Sequence, residues 1–197
     1  MIKAVIFDVG GVLLQEVASK IYKALTKNVG RNLQETRTIG RKLVHKFEVG
    51  SISEDKFWKD LAEKLGSNKN YVKKIWLGTF KKNLCVRKSV IKLAADLKRH
   101  GYKVAILSNA IKLHYDHIHR KNVYQLFSPV VLSFEVGMKK PRKNIYRLVA
   151  KKMRLKPEEC IFIDDKEKNV KAAEEVGMHG IVFKNVAQLK DDLKKVL

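Results

Sequence analysis

The sequence predicts an α/β fold: a parallel sheet covered by helices on both faces, with an all-helical insertion after its first strand. Three observations carry this reading. Four short apolar runs, at 2–7, 104–107, 130–132 and 161–163, have the length of strands buried on both sides, and 180–183 adds a fifth. Helical patterns alternate with these runs from residue 87 onward, as a parallel sheet with crossover helices requires. Residues 15–86 break the alternation and contain no convincing strand.

The elements justify themselves in order. "MIKAVIFD" enters the first strand at once and ends it on Asp8, ahead of Gly10 and Gly11. In the insertion, "ASKIYKALTKNVG" sets Ile21, Leu25 and Val29 on one helical stripe. "SEDKFWKDLAEKLG" opens with Ser53 as N-cap and acids in the first turn, then spaces Phe57, Leu61 and Leu65 helically. "NYVKKIWLGTF" adds a short helix, and Phe47, Phe57, Trp58 and Trp76 are assigned to the insertion's core. Beyond residue 86, Val90, Leu93, Ala94 and Leu97 share a face that Gly101 closes. Ile145, Leu148 and Val149 share another, and Val186, Leu189, Leu193 and Val196 a third. The division expected is therefore a sheet domain over 1–14 and 87–197, with the helical insertion over 15–86.

Composition bounds the function. A chain of 197 residues supports one packed domain, or one with a small insertion. No apolar stretch approaches the ~18–20 residues that cross a bilayer, and the N-terminus has no signal-peptide pattern. Only Cys85 and Cys160 occur, too few for a disulfide framework, which fits a reducing, cytoplasmic setting. The 42 Lys and Arg against 20 Asp and Glu, formally +22, favour anionic partners. The lysines are spread over helix faces in nearly every segment, without an Arg-rich tail or a stacked-aromatic ribonucleoprotein motif. The partner expected is thus a small phosphorylated molecule, with neither membrane nor nucleic acid.

The strand ends hold the chemistry. The first strand ends at Asp8, the second at Ser108-Asn109 and the fourth at Asp164-Asp165, with "GMKKPRKNIY" between the last two. Ligands of open α/β sheets bind beyond the carboxyl ends of strands, so these residues can share one rim. Three carboxylates within ~5 Å repel, and a divalent cation held by oxygen ligands relieves that repulsion. Mg2+ accepts a few carboxylates, waters and a substrate phosphate. Beside it a carboxylate can attack phosphorus, Ser108 can donate to a phosphoryl oxygen, Lys140 can neutralise developing charge, and N–H groups of the Gly10-Gly11 turn can cradle the anion.

Together these segments resemble the haloacid dehalogenase superfamily of hydrolases across the whole chain. "FDVGGVLL" is similar to its first motif, "ILSNA" to its second, "GMKKP" to its third, and "FIDDKEKNVKAAEEVGM" to the paired-acid fourth, with Asn169 as the downstream asparagine. "FEVGSISEDKFW" is similar to the cap region of relatives of the sugar-phosphate phosphatases. The resemblance implies a Rossmann-like core with a helical cap and a Mg2+-dependent phosphatase acting through an aspartyl-phosphate. It implies Asp8 as nucleophile and metal ligand, the Gly10 carbonyl as a second ligand, and Asp165 as a direct one. Asp164 would act directly or through water, Ser108 and its neighbour Asn109 would meet the phosphate, and Lys140 would bridge Asp8 and the phosphoryl group.

One position departs from that pattern. The family's phosphatases carry a second aspartate where this chain has Gly10, and that acid protonates the leaving oxygen. Three readings are open: a slower phosphatase in which water, a cap residue or the substrate handles the proton; a metal-independent 2-haloacid dehalogenase; or a weakly active member that binds. The pair Asp164-Asp165, costly without a cation, favours the first over the second. In "KLHYDHIHR", His114 and His117 are one helical turn apart. A solvated helix face is the expectation there, with His114 a candidate substrate contact or proton donor.

Overall fold

The computed structural model describes residues 1–197. Its sheet has five parallel strands in the order β3-β2-β1-β4-β5, where β1 is Ala4–Phe7, β2 Lys103–Ser108, β3 Val130–Leu132, β4 Cys160–Asp164 and β5 His179–Val182. Each strand occupies its expected run to within two residues at either end. The four residues of β1 are all buried. Val5 and Phe7 belong to a large core on one face of the sheet, Ala4 and Ile6 to a smaller one on the other. Continuous apolar runs, rather than alternating ones, follow from that two-sided burial.

Four helices lie between β1 and the rest of the sheet domain: α1 (Ala18–Val29), α2 (Leu33–Phe47), α3 (Glu54–Leu65) and α4 (Lys69–Asn83). They pack on one another, and Phe57, Trp58, Leu61, Leu65 and Val72 form their common interior. Ser53 caps α3 as expected, its Oγ accepting from the Lys56 N–H at 3.2 Å. Helix α2 is an element that the apolar pattern does not announce. Asn32 caps it through the Gln34 N–H at 2.7 Å, but its buried face reads Thr36, Gly40, Leu43 and Phe47. Two of those four positions are small or polar because α1 crosses closely: a Cβ on Gly40 would stand 2.3 Å from Cε1 of Tyr22.

The chain then runs through α5 (Lys88–Arg99), β2, α6 (Lys112–His119), β3, the short α7 (Ser133–Val136), α8 (Lys143–Met153), a single 3-10 turn, β4, α9 (Glu167–Glu174), β5 and α10 (Val186–Val196). Val90, Ala94 and Leu97 of α5 bury the face expected of them. Helices α8 and α9 cover the opposite side of the sheet. No helix is long and apolar enough to cross a membrane. Because β1 is central and the strand order reverses direction at it, the crevice beyond its carboxyl end is the natural ligand site.

Candidate active site

Register alone brings the rim together. Phe7 pairs with Ile106 on one side and Ile163 on the other, so the next residues of β1 and β4, Asp8 and Asp164, emerge side by side. The Asp8 N–H donates to the Ile163 carbonyl at 2.9 Å and holds that alignment. One ligand oxygen from each of Asp8, Asp164 and Asp165 falls within 4.8 Å of the others. These three acids therefore meet at one rim, as the strand ends lead one to expect.

Lys140 sits in their midst, 3 % exposed. Its ammonium donates to the Leu107 carbonyl at 2.9 Å and to Asp164 Oδ2 at 2.6 Å, and pairs with Asp8 Oδ1 at 2.7 Å. An ammonium has three donors, and all three are directed. Asn109 places the loop that delivers it. Its side-chain amide donates to the Lys140 carbonyl at 3.0 Å, and its oxygen accepts the Lys140 N–H at 2.9 Å. Asn109 therefore uses both ends of its amide on backbone, while Ser108, at the end of β2, faces the cleft.

The two acids of the 164–165 pair differ sharply. Asp164 is fully buried and saturated. Its Oδ1 accepts from the Lys166 N–H at 2.8 Å and from Asn169 at 3.0 Å, and its Oδ2 accepts from Lys140 and again from Asn169, at 2.9 Å. The Tyr146 hydroxyl in turn donates to the Asn169 carbonyl at 2.8 Å. Asp165 is the reverse case: its Oδ1 is buried with no hydrogen-bond partner. A buried carboxylate oxygen is rarely left so, and a cation is the partner its chemistry asks for.

Gly11, with φ +91°, makes room for it. A Cβ there would stand 2.4 Å from Asp165 Cγ. The Gly11 N–H donates to the Leu14 carbonyl at 2.8 Å, so it is directed to the turn and not to an anion. Gly10 is different: a Cβ would meet nothing within 4 Å, so sterics do not require glycine there.

Electrostatics follow the burial. Desolvation pushes the Asp8 carboxyl up to about 6, against the pull of Lys140 and with the repulsion of Asp164. Burial also raises Asp165. Lys140 is raised: burial opposes its charge, but Asp8 and Asp164 outweigh that.

A cavity of about 200 Å³ opens at Val9, Gly10 and Ser108, between the sheet rim and the inserted helices. Val9, Gly10, Ser108 and Asn109 form its floor, and α1, α4 and α6 its walls. His114 is not on a solvated face, contrary to expectation. Its ring stacks on Phe80 of α4 at 3.8 Å and 1°, and its Nε2 takes the Trp76 indole N–H at 2.9 Å. That contact requires the neutral tautomer with the proton on Nδ1, and burial lowers the ring to about 3. Trp76 lines the cavity as well as the insertion's core. Lys139, beside Lys140, bonds the His45 ring of α2 and pairs with Glu48 at 3.4 Å. These bonds between insertion and sheet domain had no signature in the sequence, because each joins residues far apart in the chain.

A family model described as haloacid dehalogenase-like hydrolase matches residues 2–177. The chain belongs to that family. Among curated members, this hydrolase is 29% identical over 183 residues to a sesquiterpene phosphatase of Aspergillus oryzae, covering 91% of this chain and 88% of the relative. It is 26% identical over 208 residues to a D-ribitol-5-phosphate phosphatase of Bacteroides thetaiotaomicron, covering 100% and 99%. Two crystal structures of a HAD family enzyme from Bacteroides thetaiotaomicron match with TM-scores of 0.80 and 0.75, at 26% and 25% identity. Each match covers 93% of this chain, and 94% and 95% of those chains; the second is a complex with magnesium and inorganic phosphate.

Proposed function

We propose that this hydrolase is a Mg2+-dependent phosphatase of a small phosphomonoester, acting through an aspartyl-phosphate on Asp8. The observation that carries the reading is the convergence of Asp8, Asp164 and Asp165, with one oxygen of each within 4.8 Å of the others, together with the buried, unpartnered Oδ1 of Asp165. The names of the two phosphatase relatives agree with it.

The donor set suits Mg2+, which favours carboxylate and carbonyl oxygens. Asp8, Asp165 and the Gly10 carbonyl would hold the ion, with Asp164 reaching it through water because its own oxygens are already saturated. Bound there, Mg2+ would neutralise carboxylate and phosphate charge and lower the Asp8 carboxyl from its raised position.

The chain's residues do the rest. Asp8, free at Oδ2 of the Lys140 pair, attacks phosphorus, and the ester oxygen leaves with the bonding electrons. Lys140 keeps positive charge on the attacking carboxylate, and Ser108 donates to a phosphoryl oxygen. Water then attacks the aspartyl-phosphate, releasing phosphate and restoring Asp8. Helices α1–α4 act as a cap that closes the cleft against bulk water. The basic surface gathers anionic esters, more strongly at low salt.

The test is phosphate release from a panel of phosphomonoesters, with and without Mg2+, for wild type and Asp8→Asn. Mg2+-dependent release that drops by on the order of 10³ or more in Asp8→Asn is expected. Halide release from a 2-halo acid in EDTA, with no phosphatase activity, would identify the competing dehalogenase chemistry instead.

A further inference from the structure

Resting on the phosphatase reading, we infer that the substrate is an aryl phosphate: a phosphomonoester whose leaving oxygen is phenolic and whose ring lies against the wall of Trp76, Phe80 and His114. Two independent observations lead there.

The first is the shape and chemistry of the leaving-group side. Of the 21 residues lining the cavity, 13 are apolar. Phe80 and His114 present a stacked pair, and Trp76 stands edge-on to Tyr22 at 5.9 Å and 87°. Ile21 and Ile118 complete the wall. A polyol would bring several hydroxyls against this apolar wall and leave those that face it short of partners. A flat ring would bury its faces without loss.

The second is the supply of protons. An alkoxide is a poor leaving group unless an acid protonates it. Gly10 holds no side chain, although the backbone has open space for one. Apart from Lys166, the other titratable groups lining the cavity are engaged elsewhere or deeply buried. Glu16 accepts from the Ser19 N–H at 3.1 Å and from its hydroxyl at 2.7 Å, so its carboxyl is turned to the start of α1. Glu48 pairs with Lys139. His114 is neutral, its Nε2 occupied by Trp76. Tyr22 and Tyr124 hold their protons more tightly than usual because they are buried. Lys166 is exposed, on the sheet-rim loop after Asp165 and not on the apolar wall where the leaving group lies. A phenolic oxygen, with a pKa of about 10, departs as an anion without help.

The step balances on that basis. An Asp8 oxygen forms the bond to phosphorus, and the P–O bond to the aryl group breaks with its electron pair staying on oxygen. The phenoxide then takes a proton from water. When water hydrolyses the aspartyl-phosphate, the proton it sheds neutralises the hydroxide so formed. The sum is ester plus water giving phenol plus phosphate.

The experiment compares kcat/KM for phenyl, 1-naphthyl, cyclohexylmethyl and glycerol 3-phosphate with Mg2+, in wild type and Gly10→Asp. Phenyl phosphate should exceed cyclohexylmethyl phosphate, a ring of similar size, by about 10² or more, the usual worth of general acid help. The 1-naphthyl ester should have a KM about tenfold below that of phenyl, from its extra buried apolar area. Gly10→Asp should narrow the phenyl-to-cyclohexylmethyl ratio by about tenfold or more. Wild-type turnover of the cyclohexylmethyl or glycerol ester at the phenyl rate overturns the inference and leaves the phosphatase reading intact. No release from any of the four esters overturns both.

Discussion

A Cβ on Gly11 would stand 2.4 Å from Cγ of Asp165, whereas a Cβ on its neighbour Gly10 would touch nothing within 4 Å. Two adjacent glycines thus have unrelated reasons for being there. Gly11, at φ +91°, is the space into which the acid with the unpartnered oxygen folds. Gly10 is a chemical choice at an open position. Gly11→Ala should therefore displace Asp165 and weaken Mg2+ binding by about 10–100-fold, while Gly10→Ala should change it by less than about threefold. Titration calorimetry with MgCl2 distinguishes them; equal losses for the two variants would contradict the assignment.

Lys140 is the one cation among the buried acids, bonded to Asp8, Asp164 and the Leu107 carbonyl at once. Lys140→Met removes it and leaves two carboxylates facing each other out of water. A loss of about 3–5 kcal/mol in unfolding free energy is expected in EDTA at pH 7.5, as for other broken buried pairs. The loss should shrink at pH 5, where Asp8, already raised to about 6, takes up a proton. Urea denaturation at the two pH values measures both; a loss that does not change with pH would count against Asp8 as the uncompensated charge.

Metal should stabilise the fold in proportion to its affinity. At 100 times the dissociation constant, Mg2+ adds about 2.7 kcal/mol if it binds only the native state. A rise in Tm on adding Mg2+, absent in Asp165→Asn, is expected from differential scanning fluorimetry. Asn169→Ala should keep part of that rise, because Asn169 holds Asp164, which is not the acid with the free oxygen. An unchanged rise in Asp165→Asn would remove Asp165 from the metal site.

His114 sets a separate acid sensitivity. Its folded-state value of about 3 lies below the ordinary 6.5, because burial disfavours the charged ring and the neighbouring His117 repels it. The unfolded chain therefore binds the extra proton between those values. The stability this contributes is present above about pH 6.5 and is lost as pH falls toward 3. His114→Gln, which keeps an acceptor for the indole, should lose less Tm than wild type between pH 7 and pH 5. Equal losses would show that the ring protonates without opening the contact between α4 and α6.

Much of this protein is readable along the chain because it is local. Strand runs such as "AVIF" and "CIFID" are short and wholly apolar, and burial on both faces imposes that pattern wherever it occurs. Asp8, Ser108 and the 164–165 pair follow from the same logic, since each acid or hydroxyl stands where an apolar strand stops, while Lys140 is marked only by its place in "GMKKP". Helix α2 escaped because two of its four buried positions are Thr36 and Gly40, the latter glycine where Tyr22 of α1 approaches.

The rest is decided by encounters between distant segments. Nothing in the local pattern says that Asp164 is saturated while Asp165 keeps an empty oxygen; that follows from Asn169, Lys166 and Lys140 converging on one carboxylate and missing its neighbour. Nor does "KLHYDHIHR" say that His114 will meet Trp76, 38 residues earlier, and lose its place in water. Periodicity along a chain reports which residues leave solvent. Which partners they find there depends on three-dimensional packing, and it is the partners that set charge, proton affinity and the shape of the cleft.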